Sequence, residues 1–283
     1  MSLQHKIDFA VIFTVDHANP NGDPLNGNRP RTDYEGFGEI SDVCLKRKMR
    51  DRLQEAGQAI FVQSDDRKVD DMKSLKERAE SDTLGLGKEA FNKKTSKEQT
   101  AKKACEKWYD VRAFGQLFAF GAKKEEDASG VSIAIRGPVS VHAAFSVEPV
   151  SVSSMQITKS VSGEGDGSKK SSDTMGMKHR VDKGVYVFYG SINPQLAGRT
   201  GFSDADAEVL KGILPRLFEN DASSARPEGS MVVNTVFWWK HNCASGQCSS
   251  AKVHKSLTVK PDGTYELNTA ATPGLEPEII PGF

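Results

Sequence analysis

The chain has 283 residues, 37% of them hydrophobic, at a mean hydropathy of −0.49. That length can bury one large core or two small ones, and no apolar run approaches the length of a membrane span. Lys and Arg number 38, as do Asp and Glu, so no global field draws in nucleic acid and any polyanion site must be a local patch. Four cysteines without a repeating pattern, and no signal-like start at residues 1–3, lead us to expect a soluble, cytosolic chain with reduced thiols.

Residues 7–15 (Ile-Asp-Phe-Ala-Val-Ile-Phe-Thr-Val) predict a strand apolar enough to lie centrally in a sheet. A loop rich in Gly, Pro and Asn follows: Asn19-Pro20-Asn21-Gly22-Asp23-Pro24, Asn28-Arg29-Pro30-Arg31-Thr32-Asp33, then Gly36-Phe37-Gly38. It empties into a short basic helix with Ser41 as N-cap and Leu45, Met49, Leu53 and Ala56 as one apolar stripe. At roughly 100° per residue, Lys46, Arg47 and Arg50 project together beside that stripe. A flexible loop beside a row of cations suits an extended polyanion, whose phosphates meet side-chain charge and the free N–H groups of a helix start. A solvated basic face on an ordinary amphipathic helix fits the same residues.

From about residue 65 to 107 the composition turns to Lys, Glu, Asp, Ser and Ala, which predicts a helical insertion lying on the surface. Dense hydrophobicity returns over residues 108–120. A polar turn at 123–130 and a β-branched stretch at 131–152, enough for one or two strands, come next. Residues 157–183, centred on Gly163-Glu164-Gly165-Asp166-Gly167, form a long polar excursion before a strand at 184–192. An amphipathic helix at 203–219 has Ser203 as N-cap, Val209, Leu210, Ile213, Leu214 and Leu217 inward, and a kink expected at Pro215. A strand at 231–240 and an irregular tail over 261–283 complete the chain. Without the two insertions the order is strand, helix, strand, strand, helix, strand. The expected fold is therefore α+β, of the ferredoxin-like β-α-β-β-α-β pattern.

Few motifs carry chemistry. Asn19-x-Asn21-x-Asp23 opens like a calcium loop, but Pro24 replaces the turn glycine and Pro30 the last acid. The loop also lacks the Gly-Lys-Ser/Thr ending of a phosphate-binding P-loop. His241, Cys243, Cys248 and His254 are zinc-type ligands, although their spacing equally describes a polar hairpin turn. Tyr186, Phe188 and Tyr189 echo an RNA-stacking strand without its spacing, and a core strand is the simpler reading. Asp16, His17, Asp23 and Asp33 offer a nuclease acid/base set, but acids in such a loop more often bond their own backbone.

Taken together, the segments resemble the Cas-seven family of CRISPR Cascade backbone subunits, in its type I-C branch. The resemblance rests on residues 19–24, 29–33 and 40–48, on Asp110-Val111-Arg112-x-Phe114-Gly115, and on Gly137-Pro138-Val139. Thr174-Met175-Gly176-x-Lys178-His179 and Ser224-Ala225-Arg226-Pro227-x-Gly229 extend it over most of the chain. It implies a hand-shaped subunit. A modified RNA-recognition palm would span 6–58, 108–156 and 184–260, with helical fingers at 59–107 and a β-hairpin thumb at 157–183. Such subunits polymerise head to tail along CRISPR RNA and present the guide to target DNA, beside Cas-five and Cas-eight subunits and a small subunit. The resemblance assigns RNA contact to Arg29, Arg31, Ser41, Lys46, Arg47, Arg50, Arg112, Lys178, His179 and Arg180, and a base-displacing wedge to Met175 and Met177. It implies no catalytic residue, metal or cofactor. Distant type III relatives cut RNA with an acid of the first loop, which would here be Asp23 or Asp33.

Overall fold

The computed structural model describes residues 1–92, 94–120, 131–160 and 175–283. The chain opens on β1 (Ile7–Ala18), buried without interruption over its first seven residues. The loop after it holds three short strands, β2 (Gly22–Asp23), β3 (Arg29–Pro30) and β4 (Phe37–Ile40). Helix α1 (Asp42–Glu55) starts at Ser41, whose hydroxyl accepts from the Cys44 N–H, and buries Leu45, Met49 and Leu53. Ala56 is its exposed C-cap rather than a fourth member of the stripe.

Then come α2 (Leu75–Glu80), α3 (Lys97–Lys107), α4 (Tyr109–Phe114), β5 (Gly115–Phe120) and β6 (Val131–Arg136). Strands β7 (Val139–Val141), β8 (Ala144–Pro149), β9 (Val152–Thr158) and β10 (Met175–Ile192) follow. Beyond them lie α5 (Pro194–Thr200), α6 (Asp204–Ile213) and β11 (Met231–Lys240). The chain ends with α7 (Ser250–Lys255), β12 (Leu257–Val259), β13 (Tyr265–Leu267) and β14 (Glu278–Pro281).

The main sheet runs β14-β11-β1-β10-β8-β4, with β7 and β9 also paired to β10, and each of these pairings is antiparallel. Of the strands in the β-α-β-β-α-β reading, β1, β8, β10 and β11, the spatial order is therefore fourth, first, third, second. β1 and β8 run parallel with β10 between them, as do β10 and β11 around β1.

Both faces of the sheet are covered, which is why β1 reads as a continuous apolar run. Phe9, Val11, Phe13 and Val15 pack under α1 and α6 with Leu45, Met49, Leu53, Leu210 and Ile213. Ala10 and Ile12 face the other way, into a core closed by Val253, Leu257 and Leu275 of the C-terminal segment. The tail expected to be irregular thus contributes a buried leucine and an edge strand, β14, on β11. At α6, Ser203 and Asp206 form a reciprocal capping box, and the helix gives way at Pro215 to a short 3-10 turn.

The insertion is not a coreless surface layer. Phe61, Ala79, Ala104 and Cys105 pack with Trp108, Val111, Phe118 and Ile133 into a third core. Phe61 stands 4.7 Å from Trp108 and 5.1 Å from Phe118, ring to ring. Residues given to the palm on sequence therefore close the core of the insertion, through the β5–β6 hairpin.

β9 pairs with residues 175–181 of β10, and β10 then continues along β1 to Ile192. The expected boundary between thumb and palm at 183/184 falls within this one strand. The glycine run at 163–167, Thr174 and the turn at 123–130 lie outside the described residues.

Candidate nucleic-acid interface

The first loop is knit by its own polar side chains. Asn19 is buried, donating through Nδ2 to the Asn28 carbonyl at 2.7 Å and through its backbone N–H to Ala225 at 2.8 Å. Asn21 Oδ1 accepts from both the N–H and the hydroxyl of Ser41, each at 3.0 Å, tying the loop to the start of α1. Asp23 accepts from the Leu25 N–H at 3.2 Å and from Arg31 Nη2 at 3.4 Å. Asp33 accepts from the N–H groups of Glu35 and Phe37, both at 2.9 Å. Both carboxylates are thus spent on turns, as acids among Gly, Pro and Asn tend to be. Arg226, from the last of the sequence motifs, donates to the Asn19 carbonyl at 3.4 Å and to Asp221 at 3.1 Å, so segments two hundred residues apart in sequence meet here.

Each of the cations expected to project together from α1 meets an acid. Lys46 pairs with Asp42, Arg47 with Asp51 and Arg50 with Asp110, each at 3.0 Å. Lys48 is buried against Asp221, and Arg52 pairs with Glu55 at 2.6 Å. Burial pulls the Arg47 guanidinium below its ordinary value and pushes the Asp51 carboxyl up, so this pair is partly withdrawn from water. Arg112 is also held internally: it donates to Asp206 at 2.7 and 3.1 Å and lies over the Tyr109 ring. Asp42 and Asp51 lie on α1 itself, whereas the acids that face Arg50 and Arg112 belong to α4 and α6, beyond the reach of helical spacing.

The β9–β10 ladder brings a different set together. Residues paired across it share a face: His179 with Ser154, Met177 with Gln156, Met175 with Thr158. Arg29 reaches this face from β3, donating through Nη1 to Ser154 Oγ at 2.9 Å, while His179 Nδ1 lies 2.8 Å from the same oxygen. Met175 and Met177 stand 60% and 56% exposed on that face, outside the core. Lys178 and Arg180 occupy the reverse face with Met155 and Ile157, and Arg180 lies 3.9 Å from Asp182. Among the described residues, Arg29, Lys178 and His179 have no carboxylate partner. Ser154 was missed on sequence because one serine in a strand gives no signal; only the register reveals it.

The remaining candidates resolve into structure. His241 Nε2 bonds Asp8 Oδ2 at 2.8 Å and His254 Nε2 lies 3.5 Å from Asp8 Oδ1, so both imidazoles face a buried acid that the apolar β1 run had concealed. Burial alone would push the Asp8 carboxyl up; bonds from His241, His254 and Ser250 and the Lys6 charge outweigh it and hold the group well below the ordinary range. No group of three or more metal-type ligands is assembled among the described residues. Tyr186 and Phe188 are core residues, with Tyr186 stacked on Phe13. Asp16 and His17 bond each other at the surface. Among the described residues no helix is long and apolar enough to cross a membrane.

The family described as CRISPR-associated protein Cas7 matches residues 5–273. A CRISPR-associated protein Cas7 of Haloferax volcanii is 29% identical over 234 residues, 79% of this chain and 67% of that one. A solved structure described as a CRISPR RNA-guided surveillance complex, pre-nicking, is similar at 18% identity and a TM-score of 0.49, over 83% of this chain and 75% of that chain. A second CRISPR RNA-guided surveillance complex is similar at 16% identity and a TM-score of 0.45, over 83% and 68%. With the match running through nearly all of its length, this chain belongs to the CRISPR-associated protein Cas7 family.

Proposed function

We propose that this chain is a non-catalytic RNA-binding scaffold of a type I-C CRISPR surveillance complex. Copies polymerise head to tail along CRISPR RNA and present the guide for pairing with target DNA. The observation that carries this reading is the face of the β9–β10 ladder. Two exposed methionines stand in line with Arg29 and His179, an apolar wedge beside basic side chains that, among the described residues, lack carboxylate partners. Phosphate contact fixes a strand without reading it, and an apolar wedge unstacks bases without reading them.

The spatial order of β11-β1-β10-β8 is that of a ferredoxin-like palm, which supports fingers in the 59–107 insertion and a thumb in the ladder. Arg29, Arg31, Lys46, Arg47, Lys178, His179 and Arg180 would contact the backbone, while Ser41, Arg50 and Arg112 hold the surface in place. A net charge of zero suits a subunit that stacks on its own copies through complementary surfaces. Cas-five, Cas-eight and small subunits complete the assembly, in the cytoplasm of a prokaryote.

The deciding experiment is purification of the chain, sizing of the particle and sizing of the RNA that travels with it. A ribonuclease-sensitive polymer supports the scaffold. A monomer that binds RNA one to one points to a lone RNA-binding module. The assembled particle is then given complementary RNA in magnesium or manganese. Regularly spaced cuts that disappear in Asp33→Asn or Asp23→Asn would establish an endonuclease instead.

A further inference from the structure

We propose that Arg29, Ser154 and His179 form a proton-linked site for one phosphodiester of a single RNA strand. The inference rests on the RNA-binding reading above and adds a site and a pH dependence to it.

The argument turns on the one hydroxyl that the two basic residues share. Ser154 Oγ has one proton to give, and Arg29 Nη1, 2.9 Å away, can only donate to it. With His179 neutral and its proton on Nε2, the hydroxyl donates to Nδ1 across 2.8 Å. The hydroxyl is then satisfied as both acceptor and donor, and its proton points at the imidazole. Protonation reverses that bond. Nδ1–H becomes the donor and the hydroxyl proton turns outward to solvent. One proton therefore delivers both a second positive charge and a free O–H beside Arg29.

The groups facing His179 are Arg29 from β3 and Ser154 from β9; Lys178 and Arg180 of its own strand lie on the reverse face. No described carboxylate is within ion-pair reach of His179. Two cations on one hydroxyl repel each other in the free chain, and an anion seated between them removes that repulsion. Anion binding and protonation are thus linked. Imidazole is the side chain whose charge changes between about pH 5 and pH 8. The site shares its face with Met177 and Met175, so a phosphate held there would set its neighbouring base against the methionines.

The test is binding of a mixed-sequence single-stranded RNA oligonucleotide by the full chain, titrated with salt near pH 8 and near pH 5.5. One further phosphate contact steepens the dependence of log K on log salt by about 0.7 for a single strand. The wild type should show that increment at the lower pH. His179→Gln should abolish it, Ser154→Ala should reduce it, and His17→Gln, which removes the other imidazole of this region, should keep it. An increment that persists in His179→Gln, or moves with His17, overturns the site. An undiminished increment in Ser154→Ala overturns the shared hydroxyl. RNA bound with equal slopes at both pH values sinks the inference and leaves the RNA-binding reading standing. No binding at either pH sinks that reading, and the inference with it.

Discussion

Arg50 and Asp110 close the joint between α1 and α4. Arg50 Nε donates to the carboxylate at 3.0 Å, and the backbone N–H groups of Phe61 and Val62 complete that carboxylate at 2.7 and 3.0 Å. Asp110 is 1% exposed, so these partners stand where water would otherwise meet its carboxylate. Arg50→Ala should therefore destabilise the fold by about 3–5 kcal/mol, the usual cost of stranding a buried charge. Urea unfolding checks this, and a midpoint equal to wild type would show that Arg50 is a surface cation after all.

Arg29 and Lys46 should separate in the opposite sense. Neither change should shift stability by more than about 0.5 kcal/mol, since Arg29 leans on a hydroxyl and Lys46 on a partly exposed i,i+4 helical pair. Arg29→Ala should lower the salt slope of RNA binding by about 0.7. Lys46→Ala should lower it less, because Asp42 already offsets the Lys46 charge. A larger loss for Lys46 would return the main grip to the helix.

Asp8 should make stability depend on acid. Its carboxyl is held below the ordinary value of 3.8, so the stabilisation it gives is present above about pH 4. That contribution is lost as pH falls from there through the depressed folded value. The stability gap between wild type and Asp8→Asn should accordingly be widest near neutral pH and narrow below about pH 4. Denaturant midpoints across that range measure it, and a gap that stays constant into acid would show that Asp8 folds with its ordinary affinity for protons.

Thiol reactivity should divide the cysteines. Burial pushes the Cys105 thiol up to about 11 and raises Cys44 as well. Because the thiolate is the reactive form, iodoacetamide near neutral pH should label Cys243 and Cys248 before either of them. Peptide mapping of a brief labelling reaction decides this. Early modification of Cys105 would mean that the third core opens readily.

The elements built on strong periodicity were legible in the sequence: β1, α1 from its Ser41 cap, α6 from its Ser203 cap, and β11. The turn-fixing role of Asp23 and Asp33 was legible too, because a short acid among Gly, Pro and Asn has few other local options. The third core was not. Its aromatic members, Phe61, Trp108 and Phe118, are dispersed over almost sixty positions, and only the fold makes them neighbours. β14 escaped notice because a four-residue edge strand ending in proline has no period to read. For the interface, charge and helical phase were visible, whereas the neutralising partners of Arg50 and Arg112 lie on other elements. The Arg29–Ser154–His179 grouping depends on a strand register that no local pattern encodes.

β10 runs unbroken from Met175 in solvent to Ile192 in the core, eighteen residues or roughly 60 Å at the usual rise of an extended chain. The β9–β10 ladder and the sheet centre share this one strand, so the direction of the ladder follows the twist of the sheet. At Gly190 the backbone lies so close to the Phe9 ring that a Cβ would meet it at 2.1 Å. A methyl group added there would force the buried ring or the strand itself to shift, so the sheet centre tolerates only glycine at this crossing.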